Sequence, residues 1–158
     1  MLPLLLALAL APWAHLLGFH ALPGWQTGAS GTTHSRYGGH AGSESAAWIA
    51  RNVRYRDPPT ADPPNKTLAH LPRNAVIVWA VTYSPVQDRQ RPILLDFAKA
   101  RRFDCCEATY VADGEYELSG SGPGHAYSMI VRIYFGSHPT SRLRALAQLA
   151  LRQLQLAR

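Results

Sequence analysis

Cysteine is almost missing from this chain: its only two, Cys105 and Cys106, are adjacent. Neighbouring thiols cannot reach the Cα separation of an ordinary disulfide without distortion, so a disulfide-stapled fold is excluded. Metal-ligand spacing is lacking too. There is no CxxC, and none of the seven histidines stands in an HxH or HExxH pattern, so no metal site and no cofactor is predicted. Lysine is scarce: Lys66 and Lys99 are the only two among 16 basic residues, the rest being Arg. With Ala, Leu and Pro abundant, that bias reflects GC-rich coding, and the arginine count by itself carries no functional signal. The net charge of +6 is dispersed in short groups such as Arg51, Arg54 and Arg56, or Lys99, Arg101 and Arg102. No long basic run or nucleic-acid motif accompanies it, which argues against a nucleic-acid partner and for a solvated positive surface.

Charged residues of either sign are absent from positions 1 to 35, and Met1 to Leu22 is mostly Leu and Ala. The apolar run from Leu2 has the length of a signal-peptide core. Ala7-Leu8-Ala9 and Ala9-Leu10-Ala11 offer small residues at the spacing a signal peptidase uses. Pro12, His15 and Gly18 interrupt the run before it reaches the roughly 20 residues a bilayer requires. Residues 1–22 are therefore expected to be a signal peptide or an N-terminal apolar anchor. The protein is then exported, either secreted or associated with the cell envelope, and it touches the membrane only through this segment if uncleaved. Residues 23–44, rich in Gly, Ser and Thr, are expected to form a loop with one short strand. Residues 45–158 are expected to form a single α+β domain, because 158 residues that are 47% hydrophobic and 16% charged are enough for one real core.

Within that domain, Ala75 to Ser84 is apolar on both parities and rich in β-branched residues, the pattern of a central strand covered on both faces. From Ala126 to Gly136, Tyr127, Met129, Val131, Ile133 and Phe135 share one face of a second strand, and Ser128, Ile130, Arg132 and Tyr134 the other. Its expected partner is Tyr116 to Leu118. Ser45 to Asp57 reads either as a strand or as a helix running into one. The following DPPTADPPNKT excludes regular structure. Pro92 to Phe103 reads as a strand or a short helix. At the end, Leu143, Leu146, Ala147, Ala150 and Leu154 recur at helical spacing, with Arg144, Gln148, Arg152 and Gln155 on the far side. The predicted fold is α+β, an antiparallel sheet packed by helices and closed by a C-terminal amphipathic helix.

Few residues carry a chemical signal. The Gly-rich stretch Ser119 to His125 lacks the spacing of a phosphate loop and precedes a strand, so it reads as a hairpin connection. Gly42 to Ala46 is not a nucleophile elbow. Asp104, Glu107, Asp113, Glu115 and Glu117 form an acidic stretch with no calcium-loop pattern, expected as a solvated edge on which Glu115 and Glu117 share an outer face. No catalytic constellation emerges. The candidates for ligand contact are His125, beside the Gly-rich turn, together with Trp48, Trp79 and Arg54; the tryptophans read first as core residues.

Gly24-Trp25, the stretch Asn52 to Asp57, Lys66-Thr67-Leu68 with Leu71-Pro72, Ala75 to Trp79, and Tyr134-Phe135-Gly136 before the last helix together resemble a group of uncharacterised secreted single-domain proteins of GC-rich bacteria. The order of elements is similar, more remotely, to the PsbP-like fold, an antiparallel sheet between helices. That resemblance implies a non-enzymatic binding or assembly role, with an envelope protein or a small ligand as partner, and brings no catalytic set. Two alternatives stand beside it. One is a small extracytoplasmic enzyme with a site assembled from His125, Asp113 and Glu115; the other is a peripheral binder of anionic surfaces through Arg142, Arg144 and Arg152.

Overall fold

A computed structural model of the chain describes residues 17–20, 22–29, 33–37, 40–57, 65–84, 90–103 and 115–156. In chain order its elements are β1 (Leu17–Phe19), β2 (Trp25–Ala29), β3 (Thr33–Tyr37), β4 (His40–Arg51), α1 (Asn65–Leu68), β5 (Val76–Ser84), β6 (Arg101–Arg102), β7 (Glu115–Ser121), β8 (Ser128–Phe135), α2 (Ser141–Gln153) and β9 (Leu154–Leu156). The main sheet has the order β2-β4-β5-β8-β7-β6, with β3 also paired to β4, and its named strand pairs are antiparallel. An α+β architecture closed by a C-terminal helix is thus observed.

β5 lies at the centre, between β4 and β8. Its alternating side chains feed two cores. Val76, Val78 and Ala80 join Ile49, Met129, Val131, Ile133 and Phe135 beneath α2. Ile77, Trp79 and Val81 join Ala50, Tyr134, Val53 and Leu68 on the opposite face, under the one-turn α1 and the extended chain before it. The proline-rich connection is tied across its ends: the Asp57 carboxylate accepts hydrogen bonds from the Lys66 and Thr67 backbone N–H groups and from the Thr67 hydroxyl, at 3.1, 2.7 and 2.6 Å.

Several expectations need revision. Residues 23–44 carry β2, β3 and the start of β4, because pairing to β4 supplies the order that Gly- and Ser-rich edge segments lack in intrinsic propensity. Ser45 to Arg51 is strand throughout. The helix stops at Gln153, and Leu154 begins β9, which pairs with β1. Leu17–Phe19, inside the segment expected to be a leader or anchor, is thereby a strand of the fold; both candidate cleavage positions lie outside the described residues. Among the described residues no helix is long and apolar enough to cross a membrane. Leu151, absent from the sequence-derived stripe, is fully buried, whereas Leu146 is only partly so. Gln148 does not face solvent freely. Its side chain accepts from Phe97 N–H at 2.7 Å and donates to Leu95 C=O at 3.2 Å, fastening the 92–100 segment to α2.

Glu115 is buried, 5% exposed, and does not lie on a solvated edge. Its neighbour on the same face, Glu117, meets Arg132 across the strand pair at 3.3 Å, and the Arg132 guanidinium lies 4.3 Å over the Phe103 ring. Burial of Glu115, with Glu117 half-buried, follows from sharing a face with Arg132 and Tyr134, a face that is covered. Cys105, Cys106, Asp104, Glu107 and Asp113 lie outside the described residues.

At the other end of β8, Tyr127 packs its ring so closely on Gly122 that a Cβ there would fall 2.2 Å from the ring. Burial raises the pKa of this phenol above its ordinary value. The folded state then holds the proton more tightly than the unfolded state, so the contribution to stability is complete below about pH 10 and declines as pH rises toward the folded pKa. Tyr127→Phe should flatten the alkaline limb of the stability curve above about pH 10, measured by urea unfolding at stepped pH.

Candidate functional site

Strand β4 ends at Arg51, which is registered against Val76 at the start of β5. Asn52, the next residue, turns the chain through a left-handed conformation with φ of 54°, a geometry Asn tolerates better than most residues. The returning chain reaches the same sheet end through Arg73 and Asn74. There the β8–α2 connection is pinned against it: Gly136 N–H donates to Ala75 C=O at 3.2 Å, and the Ser137 hydroxyl donates to Arg73 C=O at 2.8 Å. Contact is so tight that a Cβ on Gly136 would stand 1.7 Å from the Pro72 carbonyl oxygen. Thr140 then caps α2, its hydroxyl accepting from Leu143 N–H at 3.3 Å.

These three chain segments border an open surface cavity of about 340 Å³. Its wall is Arg51, Asn52, Arg73, Asn74, Ser137, Thr140 and Arg142, with Leu143 and Leu146 on the α2 side. Three arginines and two asparagines line it, and among the described residues no Asp or Glu does. Arg retains its charge throughout the physiological range and offers a planar fork of donors suited to carboxylate or phosphate. Arg142 also stands in the first turn of a 13-residue helix that has no acidic residue there. A cation at that end opposes the helix dipole, whereas an anion is favoured. Chemically the cavity is a trap for negative charge.

The sequence-derived candidates lie elsewhere. Trp79 is fully buried in the second core. Trp48 is placed by backbone register opposite Trp79, and its side chain lies outside the described ones. Arg54 is exposed on the extended segment after β4. His125 is exposed, in a left-handed conformation with φ of 56°, and its Nδ1 lies 2.9 Å from the Ser121 hydroxyl. Ser and His at that distance have the reach of a nucleophile and a base. Ser121, however, is only 1% exposed, and its hydroxyl also lies within 3.3 Å of Gln90 C=O, so the pair ties down the turn after β7. His125 follows the end of β7 opposite to Glu115; Ser121 lies six strand positions beyond Glu115, roughly 20 Å. The structure does not bring those two together. Among the described residues, no three of His, Cys, Asp and Glu converge as a metal site would require.

Of the cavity wall, the sequence names Arg51 and Arg142 only as parts of a dispersed basic surface, and Leu143 and Leu146 only as the apolar stripe of the last helix. Arg144 is exposed, and its Nε donates to Pro139 C=O. Arg152 lies ten residues along α2, roughly 15 Å away. Two signals in the sequence were available: the repeated Arg-Asn dipeptides at 51–52 and 73–74, and a helix start carrying Arg142 and Arg144 where acidic residues are favoured. No family model, no curated protein and no solved structure matches the chain.

A cavity lined with like charges is destabilising when empty. Arg142→Ala should therefore stabilise the ligand-free protein by about 0.3–1 kcal/mol, measured by urea unfolding at low ionic strength, with the gain shrinking in high salt.

Proposed function

We propose that the protein is an exported, non-enzymatic binding domain whose ligand is a small anion held in the Arg51–Arg73–Arg142 cavity. A single observation carries the ligand assignment: three arginines from widely separated positions line one pocket, with no Asp or Glu among its described lining residues. Like charges repel, and folding brings these arginines to one pocket with no acid among its described lining residues, an arrangement expected of a site that stores unfavourable electrostatics for a ligand to relieve. Arg-anion hydrogen bonds are charge-assisted and directional, which suits recognition.

Export rests on the charge-free, Leu- and Ala-rich start of the sequence. The finer fold reading, a PsbP-like sandwich, is part of the same proposal and is supported by the Gly24-Trp25 entry and by the covering of both sheet faces. A binding role for the whole surface of α2 is less favoured, because Arg142 and Arg152 stand at opposite ends of the helix.

Isothermal titration with phosphate, sulfate and citrate at low ionic strength should show saturable binding by at least one of them. Arg73→Ala or Arg142→Ala should weaken it about ten-fold or more, the loss expected for a charge-assisted contact. Equal affinity in the variants, or no binding at all, would remove the assignment. For export, fractionation of the native host should place the protein outside the cytoplasm; full-length protein retained in the cytosol with its N-terminus intact would overturn that part.

A further inference from the structure

Inorganic anions leave half of this cavity's chemistry unexplained. Its polar wall is continued on the α2 side by Leu143 and Leu146. Leu143 is 5% exposed and packs into the core, but Leu146 is only partly buried and belongs to the fringe of that core. The charged and apolar parts of the wall are thus contiguous, within a volume at the lower end of the range that holds drug-sized organic ligands. On the charged part, three guanidiniums exceed what one carboxylate would neutralise.

We infer, resting on the anion-binding reading above, that the ligand is a phosphomonoester with an apolar body. Its dianionic phosphate is held by Arg51, Arg73 and Arg142 at the start of α2, and its organic part lies over Leu146. Asn52 and Asn74 supply neutral donors beside the charged ones, able to bond an ester or hydroxyl oxygen next to the phosphate. The same chemistry has two sources, a soluble organic phosphate or the headgroup of a phosphatidic acid at a membrane surface. Both present a terminal phosphate attached to an apolar group.

The test is titration of the full chain with inorganic phosphate, phenyl phosphate and phenol. Phenyl phosphate should bind roughly ten-fold more tightly than inorganic phosphate, the increment expected when an apolar group of that size leaves water, and phenol alone should not bind measurably. In Leu146→Ser that preference should collapse toward equality; Leu146→Ala, which retains a strong helix former, serves if the serine variant fails to fold. Arg73→Ala should weaken both phosphates. Equal binding of the two phosphates by the unmodified protein, or a preference indifferent to Leu146, would overturn this inference and leave anion binding standing. Binding of neither would overturn both. A second arm uses phosphatidylcholine vesicles with and without phosphatidic acid. Binding that needs phosphatidic acid and Arg73, and that phenyl phosphate displaces, identifies the lipid source. Phenyl phosphate binding without vesicle binding identifies the soluble one. Vesicle binding that survives both Arg73→Ala and excess phenyl phosphate would locate the contact outside the cavity and overturn the assignment.

Discussion

Everything in this molecule hangs on the burial of β5 on both of its faces. A strand with one wet face can slip or curl at modest cost, but one whose odd and even residues enter separate cores has its register specified twice. Val78 against Ile133 on one side of the sheet and Ile77 against Tyr134 on the other hold β5 and β8 in a single alignment. β4 extends both cores by one strand through Ile49 and Ala50. Once those three strands are registered, the ends of β4 and β8 and the start of β5 coincide at one edge, and the chain must turn there three times.

The cavity is a product of those turns. Asn52 leads the chain away from β4 in a left-handed conformation, Arg73 and Asn74 bring it back, and Gly136 allows the β8–α2 connection to close against Pro72. Each turn contributes one arginine or follows one. Apolar burial pays for this crowding, since the adjoining strands and α2 are anchored by residues of near-zero exposure such as Val76, Phe135 and Leu151. A rigid frame can hold like charges in proximity, whereas a loop alone would let them drift apart. The remainder of the polar chemistry acts structurally: Asp57 secures α1, Gln148 fastens the 92–100 segment, and Ser121 with His125 holds the turn after β7.

The same geometry accounts for how far the residues could be read in advance. Tyr127 to Phe135, with period-two alternation, announced both its strand and its buried face, and the unbroken apolar run of β5 announced a central position. Edge strands β2 and β3 were illegible because Gly, Ser and Thr carry little patterning, and their order comes from β4. Glu115 looked solvated because alternation says which residues share a face but not whether that face is covered. Gln148 deceived for a related reason: a helical stripe identifies a side, and the 92–100 segment binds a residue beyond it. Leu151, four residues after Ala147, falls on the helical stripe itself and is buried with it.

Sequence alone therefore determined the class of the fold, the central strand, the face of β8 and the closing helix, since each is written in short-range periodicity. Tertiary structure decided the site. Arg51, Arg73 and Arg142 are ordinary surface arginines when read one at a time, and the first and last are 91 positions apart in the chain. Their common space exists only because the registered strands end together, and charge proximity across such separations depends on that register and on nothing local to any of the three residues.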